Sequence, residues 1–292
     1  MDLSKAIAYN GVTSGVTRTA SGPSYGWQVE DATFSDAEVA GYLDKAALRD
    51  GVDAGDVYLG RRLLNIQASV MGSSKGDGWD RLQDWLAAFS PRLAYNADTA
   101  NLGFLPFTFY QPTADIVTWP TSAYADGIPM QFYARPAALP SWRVARDATG
   151  GVSGAGIAFD VRVPLLMRDP RKYLQTEVSV AVSTATSTVS YRGDYPTFGT
   201  MVISKPTATA ADNFTLYLGG LTTVLDLSTA TGTSYTVDYE DRLVYHSGDG
   251  TSRMGWVTGG VNGKEIDVGR TFRMANTTGI TGVTLTYREA WA

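Results

Sequence analysis

Apolar and polar side chains alternate with period two along most of this chain. Leu64, Ile66, Ala68 and Val70 alternate with Asn65, Gln67, Ser69 and Met71, which predicts a half-buried strand. Ile157, Phe159, Val161, Val163 and Leu165 fall on one face of another strand, with Asp160 and Arg162 opposite. That strand must end near Met167, because Arg168, Asp169, Pro170, Arg171 and Lys172 follow: proline removes a ladder donor and the charges seek water. Period two resumes from Val178 to Val182, and no helical stretch follows. Phe214 to Leu218, Gly219-Gly220 and Leu221 to Leu227 predict a hairpin with a two-residue turn. Leu218 then faces Leu221, Leu216 faces Thr223 and Phe214 faces Leu225. Tyr235, Val237 and Tyr239 form a further strand, Arg242 to Tyr245 return beside it, and Val283, Leu285 and Tyr287 close the series before Trp291.

Helical spacing occurs twice, both times in the first half. Ser35 as N-cap, Glu38 three residues on, the face Val39, Tyr42, Leu43 and Ala46, and Gly51 as a stop predict a helix from Ser35 to Arg49. Asp77 as a cap, with Trp79, Leu82, Trp85, Leu86 and Phe89 on one face and Pro91 as the stop, predicts a second. Between Leu102 and Leu139, five prolines interrupt aromatic segments, which predicts short or edge strands joined by rigid turns. Residues 1 to 26 are rich in Gly, Ser and Thr and read as an arm ordered only on assembly, with Trp27 to Val29 as the first short strand.

The expected fold is mainly β with one or two helices. A β-barrel or sandwich domain with an outer α-helix, residues 1–172, is followed by a β-sandwich domain of jelly-roll or galectin-like type, residues 173–292. The charged run at 168–172 is the joint. At 292 residues the chain is long enough for two cores.

Composition narrows the chemistry. There is no cysteine, which removes thiol catalysis, disulfides and thiolate metal sites. The single histidine, His246, sits in a turn-rich run and reads as a loop residue. A net charge of −5 and a pI near 4.9 argue against a general phosphate-binding surface, hence against sequence-specific nucleic-acid binding. No apolar run reaches the roughly 20 residues that span a bilayer, and Met1 to Lys5 open no secretory signal, so synthesis in a cytoplasm without membrane insertion is expected.

Each candidate site competes with a plainer reading. Gly150, Gly151, Gly154 and Gly156 precede a strand rather than the helix that would hold a pyrophosphate. Gly72 to Gly76 precedes a helix but lacks phosphate-loop spacing. Asp50, Asp53 and Asp56, and again Asp238, Glu240 and Asp241, offer oxygen ligands without a calcium-loop pattern. Asp238 and Glu240 would be the pair for a glycosidase, which needs two carboxylates across a cleft. Trp256 and Tyr245 are candidate glycan contacts through ring stacking, against core packing as the alternative. No nucleophile, base and orienting group stand at recognisable spacing, so no enzyme, metal site or cofactor is expected.

Four segments together resemble the distal tail protein (Dit) family of long-tailed, siphovirus-type bacteriophages. Asp50-Gly51 followed by Leu59 to Ile66 is similar to the family's first tube strand, and Trp79 to Phe89 to its outer helix. Met167 to Tyr173 resembles the end of the tube domain, and Tyr195-Pro196-Thr197, Met201 to Ile203, Val237-Asp238 and Arg242 to Tyr245 resemble the carboxy-terminal sandwich. The resemblance implies a structural virion protein of the tail tip, assembled in the host cytoplasm. It implies a homohexameric ring that joins tail tube to tail hub or baseplate around a channel for DNA. Its implied partners are the major tail tube protein, the tail hub protein, the tape measure protein and receptor-binding proteins. Val39, Tyr42 and Leu43 are then candidate subunit contacts, and Arg168, Asp169, Pro170, Arg171 and Lys172 candidate interdomain hinge residues. The competing expectation is a carbohydrate-binding β-sandwich protein that recognises host surface glycan.

Overall fold

The computed structural model describes residues 6–17, 25–35, 39–45, 52–59, 61–99, 102–112, 127–145, 156–167, 169, 171–205, 213–228, 233–258, 261 and 265–291, with the backbone alone at 16–17, 39–45 and 52–59. The chain divides into two compact units, Met1–Lys172 and Tyr173–Ala292.

In the first unit, β1 (Ala8–Tyr9), β2 (Val12–Thr13), β3 (Gly15–Thr17), β4 (Tyr25–Phe34), β5 (Val39–Lys45), β6 (Val52–Leu59) and β7 (Arg62–Met71) lead into α1 (Lys75–Ala88) and α2 (Pro91–Ala97). Then come β8 (Leu105–Gln111), β9 (Ile128–Pro136), β10 (Ser141–Val144) and β11 (Ala158–Met167). The sheet runs β2-β1-β8-β9-β11-β7-β4-β3, with β10 also on β11. Its centre is the ladder from Ala158↔Met71 to Met167↔Arg62, ten residue pairs without a shift. Alternation sends Leu64, Ile66, Ala68 and Val70 to the same buried layer as Phe159, Val161, Val163, Leu165 and Met167, as the sequence pattern requires. Leu82, Trp85 and Phe89 join that core. Phe89 stacks on Tyr9 at 4.9 Å and lies 4.4 Å from Trp85.

Three sequence expectations are corrected here. The segment from Ser35 to Arg49 does not form the expected helix: its described part is strand β5, paired with β6 from Val39↔Leu59 to Lys45↔Val52. The reason is long-range: the register of β4 on β7 continues into this ribbon, and Ser35, read as a helix cap, instead accepts from the Leu63 amide and donates its own amide to the Leu63 carbonyl. A helical face of Val39, Tyr42 and Leu43 therefore does not exist, and these residues lie in a strand. Residues 6–17 are built into the sheet edge, where Ile7 and Tyr9 are fully buried and the Tyr9 hydroxyl donates to the Ala134 carbonyl at 3.2 Å. Burial pushes that phenol's pKa well above its ordinary value.

The third correction concerns the proline-rich stretch, which supplies the interior strands β8 and β9. Phe107, Phe109, Met130, Phe132 and Ala134 bury with period two, and Phe107 stacks on Phe132 at 4.9 Å. Pro106, Pro129 and Pro136 stand at or next to strand ends, where a missing donor costs little. Pro164 lies inside β11, opposite the interval 137–140 that separates the β9 pairing (Leu165↔Pro136) from the β10 pairing (Arg162↔Ser141). Its carbonyl accepts from Ala137 on that side, so the absent N–H points at a break in the ladder.

α1 starts earlier than expected. Ser74, not Asp77, is the N-cap, accepting from the Asp77 amide at 3.1 Å. Gly72 and Gly78 allow the strand to turn tightly into the helix: a Cβ on Gly72 would lie 2.1 Å from the Gly78 nitrogen, and one on Gly78 would lie 2.1 Å from Ile157 Cγ2.

The second unit contains β12 (Lys172–Leu174), which begins at the division, then β13 (Val178–Ala181), β14 (Ser187–Thr188), β15 (Gly199–Ser204), β16 (Phe214–Leu218) and β17 (Leu221–Leu225). β18 (Ser234–Asp238), β19 (Leu243–His246), β20 (Val257–Thr258), β21 (Thr271–Ala275), β22 (Gly282–Tyr287) and β23 (Ala290–Trp291) complete it. Two five-stranded antiparallel sheets, β13-β22-β15-β18-β19 and β14-β21-β16-β17-β20, share one core as a β-sandwich. Met201, Ile203, Val237 and Leu285 of the first sheet and Phe214, Leu216, Leu225 and Phe272 of the second are buried in it. The β16–β17 hairpin has the register read from sequence, Leu218↔Leu221 through Phe214↔Leu225. Gly219 and Gly220 supply the positive φ values, 56° and 85°, that its two-residue turn demands.

A polar knot holds the end of the chain to this unit. Glu289, fully buried, accepts from the Arg192 amide at 2.9 Å and pairs with the Arg192 guanidinium at 2.9 Å. The Tyr191 hydroxyl receives the Ala290 amide and donates to the Tyr195 carbonyl. Burial, and secondly the Glu289 charge, push the Tyr287 phenol up to about 12.

Two outcomes follow from this packing. Trp85→Ala should cost about 3–5 kcal/mol, the range for deleting a buried aromatic, read as a lower urea midpoint by circular dichroism. Glu289→Ala should cost about 2–3 kcal/mol, reduced from the range for a broken buried pair because Arg192 is about one-third exposed, and Glu289→Gln should lose less.

Candidate functional site

The described carboxylates mostly serve turns. Asp238 accepts from the Glu240 and Asp241 amides at 2.9 and 3.0 Å, which fastens the β18–β19 turn and places Asp238 and Glu240 at one strand end. Asp249 takes the Thr251 amide at 2.8 Å and stands 3.0 Å from His246 Nδ1. Its carboxyl is lowered to about 2, first by hydrogen bonds with Thr251 and then by His246. His246 lies 5.4 Å from the Tyr235 ring, so the single histidine of the chain closes a hairpin. Among the described residues, no three His, Asp or Glu side chains gather as a metal site.

The loop before α1 is filled by the protein's own charge. Asp77 accepts from the Ser73 amide at 2.6 Å and from the Ser73 hydroxyl at 2.9 Å, and it pairs with Arg81 at 2.9 Å. The Ser73 amide and then Arg81 hold this carboxyl below its ordinary range, so the amide a foreign anion would use is taken. Gly150, Gly151 and Gly154 lie outside the described residues, as does Asp50. Asp53 and Asp56 fall on strand β6 rather than in a loop.

Trp256 sits in a 3₁₀ turn, Met254–Trp256, against the core of the second unit. Tyr235 meets it edge to face at 5.6 Å, and the Arg253 guanidinium lies 5.1 Å from its ring centroid. An indole covered in this way is not an open stacking platform. Tyr245 is half-buried in β19, opposite Thr236. In the charged joint, Arg168 and Pro170 lie outside the described residues. Asp169 and Arg171 pair with each other at 2.6 Å, and Lys172 opens β12.

The surface with the clearest capacity for association is the edge of the first unit's sheet at β10. Ser141, Trp142, Arg143 and Val144 are all exposed, and the pairing of the strand is with β11 from Ser141↔Arg162 to Val144↔Phe159. Trp142 meets Trp79 and Phe159 edge to face at 5.4 and 5.8 Å, so its ring is fixed at the rim. Arg143 pairs with Asp160 at 2.9 Å. The sequence reading missed this edge, although Trp142 and Val144 in a strongly polar neighbourhood were a usable signal.

No protein-family model and no curated protein matches this chain. Among solved structures it is similar to the Dit protein (gp 19.1) of phage SPP1, described as a paradigm of the hub adsorption apparatus in phages infecting Gram-positive hosts. Identity is 17%, the match covers 98% of this chain and 99% of that one, and the TM-score is 0.59. Two matches in the phage P2 baseplate in its activated conformation are more distant. One, with Ca, has 7% identity over 93% and 94% of the two chains at a TM-score of 0.41; the other, with Sr, has 7% over 97% and 97% at 0.40. The chain thus has the fold of SPP1 Dit over its whole length, mainly β with two helices among its described residues.

Proposed function

We propose that this chain is a distal tail protein, a structural component of a phage tail tip. Six copies form a ring that joins the tail tube to the hub or baseplate and leaves a channel for DNA. The observation that carries the reading is the full-length match to SPP1 Dit, 98% of one chain on 99% of the other, which takes in both units of this chain. Four sequence segments, from Asp50 to Tyr245, support it independently. The net charge of −5 suits a channel through which DNA passes without adhering. In this reading the protein is a non-enzymatic part of the virion. Its partners are the major tail tube protein, the tail hub, the tape measure protein and receptor-binding proteins, and residues 168–172 join a ring-forming unit to an outward sandwich. Glycan recognition draws no support from Trp256, whose ring is covered by Arg253 and Tyr235.

Light scattering and negative-stain micrographs of the full chain, alone and with the tail hub protein, test this. The expected result is a sixfold ring with a central hole and a mass six times that of the 31.3 kDa chain. A protein that stays monomeric at high concentration in both settings overturns it.

A further inference from the structure

Two incomplete pieces of β-structure occur in the first unit. The first is the ribbon β5–β6. β4 pairs with β7 through Ala32↔Ile66, Thr33↔Asn65 and Phe34↔Leu64, and the same offset reappears beyond the interval as Val39↔Leu59, Ala40↔Tyr58 and Gly41↔Val57. The ribbon is therefore the far end of the β4–β7 hairpin, continued in register. Its seven β5 residues extend for about 23 Å at the rise of a strand. Among the described residues it forms a sheet of two strands only, an arrangement marginal in water by itself. After a register shift between Gly41 and Leu43, the pairing sets Asp44 directly opposite Asp53, and like charges in that position are destabilising.

The second piece is the β10 edge. Ala145 donates to Ala158, so Ser141, Arg143 and Ala145 turn their backbone groups toward β11, while Trp142 and Val144 turn theirs outward. Leu139, Trp142 and Val144 are 75, 44 and 47% exposed. The edge is short, four residues with one charge, and among the described residues its outward backbone groups pair with no other strand, which leaves them available to a strand from elsewhere. On its other face Arg143 is paired with Asp160, and the exposed Arg162 stands beside them.

We propose that the β5–β6 ribbon of one copy adds to the β10 edge of a second copy, bringing Asp44 and Asp53 to Arg143 and Arg162. This inference rests on the ring reading and names its subunit contact. The direction of the hairpin excludes the same copy. The ribbon leaves the sheet beyond Leu64, which pairs with Leu165 at one end of β11, whereas β10 lies along Phe159 to Arg162 toward the other end. The occupant is thus another copy of the chain, held by backbone pairing as in strand addition.

The absence of cysteine makes the test clean. Chains carrying Arg143→Cys are mixed with chains carrying Asp44→Cys or Asp53→Cys, oxidised mildly and run on a non-reducing denaturing gel, with micrographs of the same samples. A mixed disulfide dimer from at least one pairing, and a ladder up to six copies when both substitutions share one chain, are expected. Val144→Pro, which blocks the outward backbone groups and spares the bonds to β11, should reduce cross-linking about tenfold in a chain that still folds by circular dichroism. Rings without any cross-link, or cross-links only within a chain, overturn this contact and leave the ring reading standing. Cross-links without rings support the contact and count against the ring. Neither rings nor cross-links overturns both.

Discussion

The first unit depends on one ladder. Ten consecutive pairs between β7 and β11 fix which side chains of every other strand in the sheet face the core, because β4 registers on the free side of β7 and β9 and β10 on the free side of β11. A slip of one residue would exchange Leu64, Ile66, Ala68 and Val70 for Asn65, Gln67, Ser69 and Met71, at about 1.5–3 kcal/mol for each large apolar side chain returned to water. The helices are placed by the same constraint. α1 starts where β7 ends, and Gly72 and Gly78 bring its first turn against Ile157, next to Ala158, which pairs with Met71 at that same end of the ladder.

Most of this was legible as alternation. β7, β11, the Gly219-Gly220 hairpin with its full register, and the strands at Tyr235 and Val283 could be read from period two, because in each the buried face and the turn chemistry agree. α1 was legible from its apolar face, although its first turn was misplaced, since Asp77 resembles a cap and in fact supports Ser74. The errors share one cause. Ser35 to Arg49 has helical spacing, a capping-box pattern and a terminal glycine, yet pairing with residues 52–59 decides its state, and no local window contains that partner. The prolines of residues 102–139 read locally as breakers, whereas their cost depends on the side of the strand on which each missing donor falls. Phe107, Phe109, Met130 and Phe132 had the period of a buried strand throughout.

The candidate sites fared according to the same distinction between local and distant information. The carboxylates at Asp77, Asp238 and Asp249 are consumed by amides a few residues away, and such turns are common wherever Asp precedes a tight bend. Trp256 could be placed in the core or on the surface by sequence alone; its neighbours Tyr235 and Arg253 settle its surroundings. The exposed β10 edge went unread because edge status belongs to sheet order, and sheet order is set by strands far apart in sequence. A fold shared with SPP1 Dit at 17% identity makes the same point: the fold persists while most individual residues differ.

The in-register continuation of the β4–β7 hairpin separates two properties that are usually tied. Residues removed in equal number from both strands of the ribbon would shorten its reach by about 3.3 Å per pair while leaving Phe34 opposite Leu64. The ribbon can therefore lengthen or shrink over evolutionary time without disturbing the ladder on which the body of the unit is built. Such a hairpin behaves as an adjustable ruler, with its scale set by strand geometry and its zero fixed inside the core.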